Sequence, residues 1–158
     1  MLTGPTRRTW IALAAAGSAA LLLAAYAFQH LGGLAPCAMC LWQRWPHAVA
    51  IAIGVGGIAM PSAGLAGLGA LAMMTNAGLS LYHTGVERAW WDGPSSCSGG
   101  GADLGAMSMQ DLLDPGFGGG IVMCNEVAWE MFGLSMASWN GLACLGLALV
   151  WIGAVRVR

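Results

Sequence analysis

The feature that most constrains this chain is the absence of Asp, Glu, Lys and Arg over three long stretches, Thr9 to Gln43, Trp45 to Val86 and Met131 to Val155. A helix that crosses a bilayer needs roughly 20 predominantly apolar residues. The middle stretch can hold two such helices if Met60-Pro61-Ser62-Ala63-Gly64 turns the chain at its centre. Four spans are therefore expected near residues 10–30, 45–60, 64–83 and 137–155, with outer loops at about 31–44 and 84–136. The fold class is an all-α membrane protein, a four-transmembrane-helix bundle in a single domain over 1–158 with two non-cytoplasmic loops. At 58% hydrophobic and 8% charged, the chain is too apolar for a soluble domain, and no nucleic-acid partner is expected.

Orientation follows from the arginines. Arg7 and Arg8 precede the first span and Arg156 and Arg158 follow the last, so the positive-inside rule places both termini in the cytoplasm. All seven acidic residues fall between spans three and four. A cleaved signal peptide is the rival reading of the N-terminus, but the apolar core Ile11–Phe28 exceeds the usual ~7–15 residues and more spans follow. Trp10 and Trp151 near one surface, and Trp42, Trp45, Trp90, Trp91, Trp129 and Trp139 near the other, are read as two interfacial belts. The crowding on the outer side could also line a pocket for a flat ring.

The first outer loop contains Pro36-Cys37-Ala38-Met39-Cys40, with Arg44 four residues beyond the second thiol. A C-x-x-C pair closes a disulfide or supplies half of a metal site, and a nearby cation lowers a thiol pKa. Pro46 suits the first turn of a helix, which would leave Cys40 just ahead of the N-terminus of span two. If the helix starts earlier, Cys40 and Arg44 stack at i, i+4. Either geometry is expected to favour Cys40 as the anion. His83 leaves span three on the same side and could donate a hydrogen bond to a ligand held there.

A second pair, Cys97 and Cys124, lies in the long outer loop beside the glycine runs 99–101 and 118–120. One reading is a static staple worth roughly 3–4 kcal/mol. The other is an exchangeable disulfide on a mobile arm, which the glycines favour. Between them, residues 102–114 read as a short amphipathic helix on the outer membrane surface. Cys144 reads as a small buried apolar residue within span four. All four loop cysteines face a non-cytoplasmic, disulfide-permissive compartment.

These features together resemble the DsbB disulfide-bond formation proteins of bacterial inner membranes. The resemblance rests on Phe28-Gln29-His30, on the Cys37/Cys40 motif with Arg44, on Tyr82-His83, on Cys97 and Cys124, and on Trp129 to Asn140. It implies a relay. A DsbA-like thioredoxin-fold partner would attack a Cys97–Cys124 disulfide at Cys97, and electrons would pass to Cys37–Cys40 and on to ubiquinone, or to menaquinone without oxygen. By matching position, Cys40 would contact the quinone as a thiolate, Arg44 would support it, and His83 would sit near the ring. A variant dedicated to one thiol partner fits the same residues.

Three rivals stand outside that reading. A vitamin K epoxide reductase-type enzyme also pairs a membrane C-x-x-C with loop cysteines, but matches less of the chain. A structural zinc site could use Cys37, Cys40, Cys97 and Cys124, although the wide second spacing suits it poorly and no metal is expected. A membrane carrier would need charged or polar groups near the bilayer midplane, and the spans carry no charge there.

Overall fold

The structure is a computed structural model that describes residues 5–94, 97 and 123–157. The expected helix at 102–114 and both glycine runs lie outside these residues. The described chain forms α1 (Arg7–His30), α2 (Ala38–Ala59), α3 (Ala63–Glu87), a short hairpin of β1 (Glu130–Met131) and β2 (Leu134–Ser135), and α4 (Met136–Arg156).

Each helix begins on a side chain that accepts the amide of the residue three further on: Thr6 from Thr9, Cys37 from Cys40, Ser62 from Leu65 and Ser135 from Ser138. Such caps satisfy donors that a helix start leaves free. The cap at Cys37 selects the earlier of the two starts that the sequence leaves open for span two. The helix starts at Ala38 and Pro46 lies inside it, so much of the first outer loop, 31–44, is helical. α3 likewise continues past His83 to Glu87.

α1, α3 and α4, of 24, 25 and 21 residues, are long and apolar enough to cross a membrane. α2 has a comparable 22 residues, but Gln43, Arg44 and His47 make its first half polar. Arg7 Nε donates to the Ala154 carbonyl at 3.0 Å, and its guanidinium also reaches the Val157 carbonyl. The start of α1 and the end of α4 are thereby held together.

At that end the bundle closes by volume. Trp151 is fully buried among Ile11, Ala14, Ala66, Ala70 and Ala148. It is a core residue, not the belt residue that its position near the chain end predicts. A Cβ on Gly69 would stand 2.5 Å from three carbons of the Trp151 indole, so only glycine admits the ring there. Small residues that let helices approach are what packing in lipid requires, because apolar burial supplies no drive between helices in an apolar solvent.

The hairpin is an addition to the sequence reading, which places only loop in this part of the second outer segment. Its pairs are Glu130 with Ser135 and Met131 with Leu134, and the turn places Phe132 and Gly133 at φ 55° and 73°. A two-residue turn of this kind needs positive φ at both positions. Arg88 and Trp139 fasten it by donating to the carbonyls of Gly133 and Met131 at 3.0 and 3.1 Å.

Candidate active site

Cys37 occupies the N-cap of α2, where its sulfur accepts the Cys40 amide at 3.2 Å. One helical turn on, the Cys40 sulfur lies 2.7 Å from that of Cys37, and the two are unbonded thiols. The hydrogen bond shared with Cys40 pulls the Cys37 thiol down to about 4, with His83 adding to it against the opposing cost of burial. The same contact, together with burial, pushes Cys40 upward. The sequence expectation makes Cys40 the anion. In the unbonded pair the contact between the two sulfurs, with His83 beside it, favours the charge on Cys37.

His83 reaches this pair from α3. Its Nε2 stands 3.6 Å from the Cys37 sulfur and 3.9 Å from Glu87 Oε1, while its Nδ1 meets the Gln43 carboxamide at 2.8 Å. The network continues inward: Gln43 Oε1 accepts from Ser80 at 3.1 Å and from Asn140 Nδ2 at 2.9 Å. Asn140 Oδ1 then meets His47 Nε2 at 3.0 Å. Glu87 in turn accepts from the Ser135 hydroxyl. A buried polar side chain that lacks a partner costs roughly 1–3 kcal/mol, and this chain of contacts satisfies most of them.

Cys97 and Cys124 are joined as a disulfide with Cα atoms 5.0 Å apart. This pairing removes two of the four ligands that a structural zinc site would have used. The disulfide does not sit on an exposed arm: Cys97 is 4% exposed and Cys124 fully buried, and both pack with Cys37, Met39 and Val86 in one cluster. His83 also interacts with the backbone at Cys124. One imidazole thus touches both cysteine pairs.

A cavity of about 350 Å³ opens beside the thiols. α1 contributes Leu21 and Phe28, α2 contributes Cys40, Arg44 and His47, and Trp129, Trp139 and Asn140 close the far side. Its size falls in the range of small-molecule sites, which are largely apolar with a few placed polar groups. Phe28 and Trp129 pack together with ring centres 5.6 Å apart. Arg44 keeps its i, i+4 relation to Cys40 but lies over the Tyr26 ring, 4.7 Å from the centroid. The guanidinium rests on an aromatic ring and not on a sulfur, and neither thiol owes its shift to it.

The family model described as "Disulfide bond formation protein DsbB" matches residues 7–154. The chain belongs to the DsbB family. Relatives named disulfide bond formation protein B include one from Dechloromonas aromatica, 31% identical over 150 residues and covering 89% of this chain and 87% of its own. Another from Pasteurella multocida is 32% identical over 148 residues, with 88% and 83% covered. A third, from Verminephrobacter eiseniae, is 32% identical over 160 residues, with 97% and 89% covered. No solved structure matches significantly. Membership in DsbB makes this a membrane protein of disulfide bond formation with a thiol–disulfide oxidoreductase role. The two thiol pairs and the cavity beside them are the features of this chain that can carry such chemistry.

Sequence reasoning names Cys37, Cys40, Arg44, His83, Cys97 and Cys124, and the structure brings all six to one end of the bundle, with the four cysteines in one cluster, His83 against the Cys37 sulfur and Arg44 lining the same cavity. It passes over Gln43, His47, Ser80 and Glu87. Their signal is present as isolated polar residues recurring at helical spacing within apolar runs: Gln43 and His47 on α2, and Asn76, Ser80, His83 and Glu87 on α3. Polar side chains inside membrane spans face the bundle and mark function.

Proposed function

We propose that this protein reoxidises a DsbA-like thioredoxin-fold dithiol oxidase and delivers the electrons to membrane quinone, ubiquinone or menaquinone. The observation that carries the reading is the meeting of both cysteine pairs in one buried cluster, bridged by His83, at the edge of an apolar cavity. A partner thiolate attacks the Cys97–Cys124 disulfide at Cys97 and forms a mixed disulfide. The partner's second thiol resolves it, leaving the partner oxidised and Cys97 and Cys124 as thiols. These reduce a Cys37–Cys40 disulfide by exchange, and the Cys37/Cys40 dithiol then gives up two electrons and two protons as its own disulfide re-forms. A bound quinone supplies the acceptor for those two electrons and two protons.

The cavity residues fit such a group. Apolar walls from Leu21, Phe28 and Trp129 suit a flat ring, and Arg44 offers donors to a ring carbonyl. His47 lines the same cavity, and its buried Nδ1 has no hydrogen-bond partner among the described residues. With Nε2 donating to Asn140 Oδ1, Nδ1 is an acceptor, and a ligand hydroxyl within the cavity would satisfy it. Cys37 and Cys40 both line the cavity, and in this reading Cys40 is the thiol that meets the ring.

Burial of Cys97–Cys124 keeps the disulfide from indiscriminate thiols, so partner docking has to expose a sulfur before exchange. The two termini, tied together through Arg7, lie in the cytoplasm, α2 completes four crossings of the bacterial inner membrane, and the cysteine loops face the periplasm. The test is anaerobic quinone reduction by the purified protein supplied with a reduced thioredoxin-fold partner. Turnover is expected in the wild type and lost in both Cys40→Ser and Cys97→Ser. Turnover unaffected by either change would end this reading.

A further inference from the structure

Cys37, Cys40 and His83 present two sulfurs and one imidazole nitrogen that all lie within 4.8 Å of one another. We propose that in the dithiol state this trio is a binding site for a soft divalent cation, Zn²⁺ in the first instance, and that the bound ion locks the pair reduced and stops the relay. The binding stands on geometry alone; the locking rests on the function proposed above.

Tetrahedral zinc takes Cys sulfur at about 2.3 Å and His nitrogen at about 2.0–2.1 Å, which sets neighbouring ligands about 3.3–3.8 Å apart. The Cys37 sulfur and His83 Nε2 already stand at 3.6 Å. The two sulfurs, at 2.7 Å, must open by about 1 Å to reach the spacing zinc requires. A turn of the Cys40 side chain about χ1 provides this, since Cys40 is the less buried of the two cysteines. A ligating imidazole donates its other ring N–H to an acceptor; the Gln43 amide nitrogen, itself a donor, lies 2.8 Å from Nδ1 of His83, so metal binding also requires the Gln43 carboxamide to turn and bring its oxygen to Nδ1–H. Glu87 Oε1, 3.9 Å from the same Nε2, stands beside the fourth position, which water or this carboxylate would fill.

The coordination balances without electron transfer. Zn²⁺ takes two thiolates and a neutral imidazole, and any proton still on either sulfur is released to solvent. Both sulfurs are then tied to the metal, so no disulfide can form until the ion leaves. The oxidised pair offers no thiolate and does not bind. This differs from the four-thiolate structural site, because Cys97 and Cys124 take no part.

The test uses the full chain in detergent, reduced and freed of reductant anaerobically, beside a Cys97→Ser/Cys124→Ser chain in which only the first pair remains. Zn²⁺ is titrated against a chromophoric chelator, and Co²⁺ replaces it for spectroscopy. Both reduced chains are expected to bind one ion at micromolar concentration or below, with sulfur-to-cobalt charge-transfer absorption, and to lose it when Cys37 and Cys40 are oxidised. His83→Ala and Cys37→Ser should each weaken binding at least tenfold, the second serving where the first does not fold. Absence of binding in the Cys97→Ser/Cys124→Ser chain, or binding unchanged by both substitutions, would overturn the proposal. Quinone reduction in the same wild-type sample, with chelator and then with Zn²⁺, separates the two ideas. Turnover without zinc binding removes only the metal site, whereas zinc binding without turnover under chelator removes only the relay.

Discussion

The two ends of the bundle are built from the same four helices by opposite means. At the end where the termini meet, α3 offers Gly69 to the face of Trp151, and contact is limited only by volume. At the other end the same helix carries Asn76, Ser80, His83 and Glu87 toward α2 and α4, and contact is limited by hydrogen-bond partners. The first end holds helices at a fixed distance; the second fixes which atom faces which. A substitution at the inner end should therefore change stability and leave thiol chemistry intact, and one at the outer end should change chemistry first.

The largest expected effect lies at the outer end. Because the Cys40 contact contributes most to lowering Cys37, Cys40→Ala should move the Cys37 titration upward. The anion is the reactive form, and a depressed value means that it is present above about pH 4 and lost as pH falls through that point. In the wild-type dithiol, iodoacetamide labelling of Cys37 should be flat from about pH 5 upward and fall about tenfold per unit below about pH 4. In Cys40→Ala, labelling at about pH 6 should drop by about 100-fold, as read by peptide mass spectrometry. An unchanged profile would mean that the pair does not set its own reactivity.

Gln43→Leu probes the link between the ends. It strips His83 Nδ1, the Ser80 hydroxyl and the Asn140 amide of a shared partner, at about 1–3 kcal/mol for each buried group left unpaired. Both a lower melting temperature and a shifted Cys37 labelling profile are expected. Loss of stability alone would show that the network only supports the fold.

Gly69→Ala sharpens the contrast from the other side. The new methyl meets the Trp151 ring carbons at 2.5 Å, and overpacking of this kind typically costs about 1–3 kcal/mol. Thermal unfolding in detergent should shift down by several degrees while the Cys37 pH profile stays where it was. A moved profile would show that the two ends are coupled.

This division also explains what can be read from the sequence. The inner end is written in composition: long apolar runs, small residues and arginines at each terminus announce the helices and their packing. The outer end depends on where α2 begins, and there the sequence leaves two starts open. Proline at a helix start is the common pattern, yet Cys37 supplies a cap that starts the helix at Ala38, well ahead of Pro46. The preference for the anion at Cys37 comes from the contact between the two sulfurs and from His83, neither of which spacing along the chain reveals. The burial of Cys97–Cys124 is hidden for a different reason, since flanking glycines describe the freedom of a loop and not the surface it rests on.

Arg44→Met should have the smallest effect, and it separates two roles that sequence spacing merges. The i, i+4 spacing from Cys40 predicts a cation that supports a thiolate, whereas the guanidinium lies over Tyr26 at the cavity wall. A contact of this kind is worth about 0.5–2 kcal/mol, and the charge also offers donors into the cavity. The substitution is therefore expected to leave the Cys37 labelling profile unchanged and to raise the quinone concentration needed for half-maximal turnover by several-fold. Tyr26→Leu, which removes the ring and keeps the charge, should produce a smaller change in the same direction. If Arg44→Met instead shifts the thiol titration and leaves quinone dependence alone, Arg44 belongs to the sulfur chemistry, and the outer end is organised around the cation and not around the helix cap.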